Sequence, residues 1–261
     1  SDLSLGVVLL LAVNSLILKP LLKIQKDVKD YADTKDTPVI VSGLETVKSE
    51  NEIGRLADNI SRLAVELDHY TQETGKLSAE KARIDSELSL AAIIQEGVLP
   101  KDFSDLNIKE FKLFATLKPA KEVGGDLYDV FMLDDEHLAL VIADVSGKGV
   151  PAALFMMTAK ALIKNRAKMG GKPSEILYDV NMQLCEGNDA ELFVTVWLGI
   201  LEISTGKVIA ANAGHEYPAI KHDGKYELFK TKNSPAVAAM KDMIFRESEF
   251  IMKPGDILYV Y

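Results

Sequence analysis

Residues 122–153 read EVGGDLYDVFMLDDEHLALVIADVSGKGVPAA, and this stretch restricts the possible folds more than any other part of the chain. Two glycine-flanked acidic turns, Gly124-Gly125-Asp126 and Asp144-Val145-Ser146-Gly147, bracket a run at 137–143 that is short, apolar and β-branched, which predicts a buried strand. Asp126 and Asp144 therefore stand at strand ends. Pro151, a favoured first residue of a helix, follows Lys148-Gly149 and aims a helix N-terminus at the same place. Carboxylates beside glycines, where main-chain carbonyls can turn inward, suit hard divalent cations such as Mg²⁺ or Mn²⁺. A cation there, the helix amides and Lys148 would converge on an anion. Taken singly, each turn also reads as an ordinary solvated loop. A phosphate loop of the G-x-x-x-x-G-K-[ST] kind is excluded, because Ile142 stands where its first glycine belongs and Gly149 follows the lysine.

Downstream of residue 111 the pattern is α plus β. Strands are predicted at 111–117, 127–133, 138–143, 194–203, 208–213, 219–222, 226–229, 244–251 and 257–261, with Ser204-Thr205-Gly206-Lys207 as a hairpin turn. Helices are predicted at 151–168, apolar almost all round and so expected to be buried, and at 173–185, which is more amphipathic. The single cysteine, Cys185, rules out an intrachain disulfide and fits a reducing compartment. A net charge of −9 argues against a nucleic-acid partner.

The N-terminal part has a different character. Residues 3–18 are nearly all apolar and stop at Lys19, Lys23 and Lys26, which is the pattern of the end of a transmembrane helix with everything downstream in the cytoplasm. A buried core helix is the competing reading. Leu21, Ile24, Val28 and Tyr31 then recur at coiled-coil spacing, followed by a connector with Pro38 and Gly43 that is expected to be non-helical. A second seam runs through Ile53, Leu56, Ile60, Leu63, Leu67 and Tyr70 and continues in phase through Leu77, Ile84 and Leu88 to Gln95. Pro100 ends that helix.

Three segments in order, PAKEVGGDLYDVF, ADVSGKGVPAALFM and ANAGHEYPA, resemble the bacterial serine phosphatases of the SpoIIE/RsbU type within the metal-dependent protein phosphatase (PPM) family, over about residues 90–261. The resemblance implies an α+β fold, a PPM-type β-sandwich flanked by helices, and phosphoserine hydrolysis with no covalent intermediate. It also implies two Mn²⁺ or Mg²⁺ ions about 4 Å apart that acidify a bridging water and clamp the phosphate. On this footing Asp144 bridges the ions, Asp126 holds one, the carbonyl of Val145 holds the other, and Lys148 with Gly149 meets the phosphate. His215, in Asn212-Ala213-Gly214-His215, is a candidate catalytic proton donor or else a turn histidine satisfied by the main chain. Asp129 supports the ligands or the fold. The family's remaining metal aspartates lie in a Tyr-Thr-Asp-Gly motif and a late acidic pair expected beyond Tyr261, so the phosphatase fold is expected to be C-terminally incomplete within residues 1–261.

Helix, connector and helix behind an apolar segment, with Pro20 near the start and Glu52-Ile53-Gly54 opening the second helix, resemble a HAMP domain. Ala92-Ile93-Ile94-Gln95 and Leu99-Pro100 resemble the helical linker of the same phosphatases. The expected organisation is the end of a transmembrane helix at 1–18, a HAMP domain at 19–70, a coiled-coil linker at 71–100 and the phosphatase at 101–261. The expected function is a membrane-tethered, HAMP-regulated serine/threonine phosphatase of a bacterial inner or plasma membrane, dimeric through its HAMP and linker helices. In such families the substrate is a phosphoserine on an anti-anti-sigma protein of the STAS fold. A non-catalytic signalling scaffold with a phosphatase-like fold is the alternative.

Overall fold

The computed structural model describes residues 2–48, 51–106, 109–119 and 122–261. The chain forms two compact units, Ser1–Asp85 and Ser86–Tyr261.

The first unit begins with α1 (Asp2–Val13), a π-helical turn (Asn14–Leu18) and α2 (Lys19–Thr34). Within them Leu5–Thr34 is long and apolar enough to cross a membrane, and none of its most apolar window is buried. α2 ends where Lys35 adopts a left-handed φ of 54°. The connector is not irregular as expected: α3 (Thr37–Glu45) occupies it. Two local causes account for this. The Asp36 carboxylate accepts from the Val39 amide at 3.2 Å, with Pro38 in the first turn where no amide partner is needed. Ile40 and Leu44, one turn apart, are then both 2% exposed against Ile24, Ala57 and Ala64. α4 (Glu52–Val98) thus presents its small residues to this cluster, while Leu56, Leu63, Leu67 and Tyr70 of the expected seam remain exposed.

The second unit contains β1 (Leu127–Met132), β2 (His137–Val145), α5 (Val150–Lys168), α6 (Pro173–Leu184), β3 (Val194–Glu202), β4 (Lys207–Ala213), β5 (Ala219–His222), β6 (Lys225–Leu228), β7 (Glu247–Ile251) and β8 (Ile257–Tyr259). Two antiparallel sheets result, ordered β1-β2-β3-β4-β7 and β6-β5-β8. Alternation along β3 sends Val194, Val196 and Leu198 into the main core with α5 and α6, and Trp197 to the opposite face. There Trp197 packs with Val208, Ala210, Leu258 of β8 and Val260, so both faces of the first sheet are covered.

Three expectations are corrected. α5 is buried on one face only, through Ala152, Met156, Ala159, Ile163 and Ala167, while Leu154 is 61% exposed, because the sheet and α6 cover one side of the helix and leave the other to solvent. Residues 111–117 form no strand: they find no ladder partner, and Phe114 is 87% exposed. The strand expected at 244–251 begins at Glu247, since Phe245 turns into the core at 4% exposure.

One buried ion cluster ties β1 to α5. Asp129, 2% exposed, places Oδ2 at 2.5 Å from Lys160 Nζ and 3.4 Å from Lys164 Nζ, and Lys164 also lies over the Phe131 ring at 4.8 Å. Removing one member leaves an uncompensated buried charge, so Asp129→Ala is expected to destabilise the second unit by about 3–5 kcal/mol. An apolar pair, Asp129→Leu with Lys160→Met, should recover most of that loss in chemical denaturation, which would separate burial of charge from loss of packing.

Candidate active site

The register of β1 and β2 brings the two acidic turns together. Leu127 pairs with Ala143, so one step further out Asp126 stands across from Asp144, and two steps out the Val145 amide donates to the Gly125 carbonyl at 3.3 Å. Leu127, Ala143 and Val145 point into the core, which leaves both aspartates on the open side. The backbones approach so closely that a Cβ on Gly125 would lie 2.8 Å from the Val145 carbonyl oxygen. Only glycine fits there.

Two like carboxylates facing each other cannot both ionise at low cost. Burial, together with a hydrogen bond and repulsion from Asp126, pushes Asp144 from its ordinary 3.8 up to about 6. A shared proton at such a pair occupies the position a cation would take, and the carbonyl of Val145 adds a neutral oxygen donor. The residues present therefore fit a divalent ion, although among the described residues no third His, Cys, Asp or Glu joins them.

The metal-free fold gains from a protonated Asp144 below its ordinary 3.8, and that contribution is lost as pH rises through about 6. Cation binding must displace the proton, so Mn²⁺ affinity should fall by about tenfold per pH unit below that point. Calorimetric titrations at pH 5 and pH 7 check this, and equal affinity at both values would remove Asp144 from the ligand set.

The turn after β2 is held from one side. Ser146 donates its amide to the Phe193 carbonyl at 2.8 Å and accepts the Phe193 amide on its hydroxyl at 2.9 Å. Gly147 and Gly149 take φ of 93° and 73°, and Gly149 precedes the first turn of α5. Lys148 is exposed and lies in the chain between Asp144 and the first amides of α5, which have no partner within the helix.

His215 lies on the aspartates' side of the sheet, next to Thr195, the register partner of Asp144 on β3. It is 9% exposed; its Nδ1 is 2.8 Å from Thr195 Oγ1, and that hydroxyl is 3.3 Å from the Asp144 carbonyl. Its amide donates to Asn212 Oδ1 at 2.8 Å, its carbonyl accepts from Asn233 Nδ2 at 3.2 Å, and Nε2 is buried without a hydrogen-bond partner. Burial holds the imidazole below its usual range, with the main chain of Tyr261 and the charges of Glu216 and Asp126 pulling the other way. The main-chain bonds of His215 fit a turn histidine, while its ring, paired only through Nδ1 to Thr195, stands beside the acidic pair where a proton donor would be needed. Sequence reasoning missed Thr195, whose hydroxyl in the apolar run VTVWLGI was the available signal.

Residues 134–261 match the family model described as Stage II sporulation protein E (SpoIIE). The chain is similar to Protein IcfG of Synechocystis sp. (strain ATCC 27184 / PCC 6803 / Kazusa), 30% identical over 203 residues, covering 67% of this chain and 32% of that protein. It is also similar to phosphoserine phosphatase RsbU of Bacillus subtilis (strain 168), 28% identical over 193 residues, covering 73% of this chain and 56% of that one. It therefore spans about half or less of the length of these relatives. Among solved structures, the SiaA-PP2C domain of Pseudomonas aeruginosa aligns with a TM-score of 0.58 at 24% identity, covering 70% of this chain and 72% of that one, which supports the same fold.

Proposed function

We propose, from the match of residues 134–261 to the SpoIIE family model, that the chain is a metal-dependent protein serine/threonine phosphatase acting on a phosphoserine protein. The observation that carries the reading is the pair Asp126 and Asp144 at facing strand ends, on the strand that leads into the N-terminus of α5. Two Mn²⁺ or Mg²⁺ ions, once bound, would supply an acidified water and a clamp on the phosphoryl oxygens. The protein's own contributions are distinct. Asp126, Asp144 and the Val145 carbonyl would hold the cations. Lys148, Gly149 and the first amides of α5 orient the phosphate, and Thr195 with His215 keeps the Asp144 main chain in place.

The finer organisation is part of the same proposal. Residues 1–18 serve as the end of a membrane anchor, residues 19–70 as a HAMP domain whose connector carries α3, residues 71–100 as the linker, and residues 101–261 as a cytoplasmic phosphatase domain. Exposure of Leu56, Leu63, Leu67, Tyr70, Leu77 and Ile84 along α4 supports a homodimer that covers this seam. RsbU and RsbP are named phosphoserine phosphatases, and an anti-anti-sigma STAS protein is the substrate class we assign by analogy. Hydrolysis of a phosphoserine STAS protein by the full-length protein, present with Mn²⁺ or Mg²⁺ and absent in EDTA, is the expected result. Activity that survives EDTA would overturn it, and a folded protein that binds the STAS partner without turnover would favour the scaffold.

A further inference from the structure

On the last turns of α4 the usual polarity is inverted. Gln95 is 7% exposed, whereas its neighbours Ile93 and Ile94 are 66% and 62% exposed. The buried amide is paired at both ends: Nε2 donates to the Gly124 carbonyl at 2.7 Å, and Oε1 accepts from the Gly124 amide at 3.1 Å. A side chain that pairs both main-chain groups of one residue, 29 positions away, restrains that residue as a neighbouring strand would. Two further contacts keep the end of α4 in place: Leu99 enters the core, and the Tyr128 hydroxyl donates to the Pro100 carbonyl at 2.9 Å.

Gly124 stands two residues before Asp126, and Gly125 between them rests against the Val145 carbonyl. From this arrangement we infer that Gln95 is a positioning residue for the metal turn: by holding Gly124 it sets where the Asp126 carboxylate stands relative to Asp144 and Val145. A purely structural helix end would be served better by an apolar residue, since burying an amide costs free energy unless all its bonds are made. Rotating the last turn of α4 would break both bonds at once and release Asp126 from its place opposite Asp144. The inference rests on the reading of Asp126 and Asp144 as cation ligands.

The test uses the full-length protein in detergent. Gln95→Met keeps the volume and removes both bonds, and Gln95→Glu keeps an acceptor for the Gly124 amide while losing the donor, so it serves if the first variant does not fold. Three readouts are taken: thermal unfolding, exchange of the Gly124 amide, and Mn²⁺ affinity by calorimetry, with turnover followed against Mn²⁺ concentration. The expected result is faster Gly124 exchange at an unchanged melting temperature, Mn²⁺ affinity lowered by roughly 10- to 100-fold, and turnover that recovers at saturating Mn²⁺. Faster Gly124 exchange with unchanged Mn²⁺ affinity overturns the inference, as does a wild-type protein that binds no Mn²⁺. If the wild type binds Mn²⁺ but hydrolyses no phosphoserine, the phosphatase reading fails while the affinity loss in Gln95→Met still supports the positioning role.

Discussion

Asp144→Asn is expected to reduce phosphoserine hydrolysis to background while leaving the fold intact and making the metal-free protein more resistant to heat above pH 6. The first effect follows from position. Asp144 faces Asp126 across the end of β1 and β2, and its own main chain continues into Val145 and the turn before α5. No other carboxylate among the described residues can replace it there. An amide keeps the size but lacks the charge that offsets dehydration of a divalent ion. The second effect follows from the raised pKa: above about 6 the metal-free wild type carries two facing carboxylates, and the substitution removes one of them. Loss of activity with gain of stability is the signature of a site kept under strain for function. Circular dichroism melts at pH 5 and pH 8, together with release of phosphate from a phosphoserine protein, check both halves. Wild-type turnover in Asp144→Asn would exclude the two-metal mechanism, and a lower melting temperature at pH 8 would exclude the repulsive pair.

The second large effect concerns phase along α4. Glu52–Val98 is one uninterrupted helix, and its exposed Leu67, Tyr70, Leu77 and Ile84 keep the seam spacing. One residue inserted near Glu80 turns everything after it by about 100°, whereas seven inserted residues preserve the heptad phase. With one residue added, α4 cannot satisfy both a dimer seam upstream and the Gln95 pairing with Gly124 downstream. We expect the single insertion to lock phosphatase activity on or off whatever the stimulus, and the heptad insertion to leave regulation largely as in the wild type. Both variants are compared in membranes for phosphatase rate and for dimerisation by cross-linking. Equal, wild-type-like regulation in the two would mean that the helix is a passive tether.

Much of this protein is legible along the chain because its information is local. The strands at 194–203, 208–213 and 219–222 and the helices at 151–168 and 173–185 lie within two residues of where apolar periodicity and proline placed them, since each forms from its own pattern against one core face. The acidic turns were equally legible, because the glycines and carboxylates that a cation needs are adjacent in sequence. Other features depend on partners far away. Residues 111–117 have strand-like composition but no ladder, and α3 forms in an expected connector because Ile40 and Leu44 find Ile24 and Ala57 to bury against. That Asp126 faces Asp144, that Thr195 reaches the Asp144 carbonyl, and that Gln95 is buried while two isoleucines beside it are exposed, were decided by strand register and helix docking. Residue types and turns report which chemistry a segment can carry, but pairing across tens of residues is set by the whole fold, and only that pairing turns two ordinary aspartates into one site.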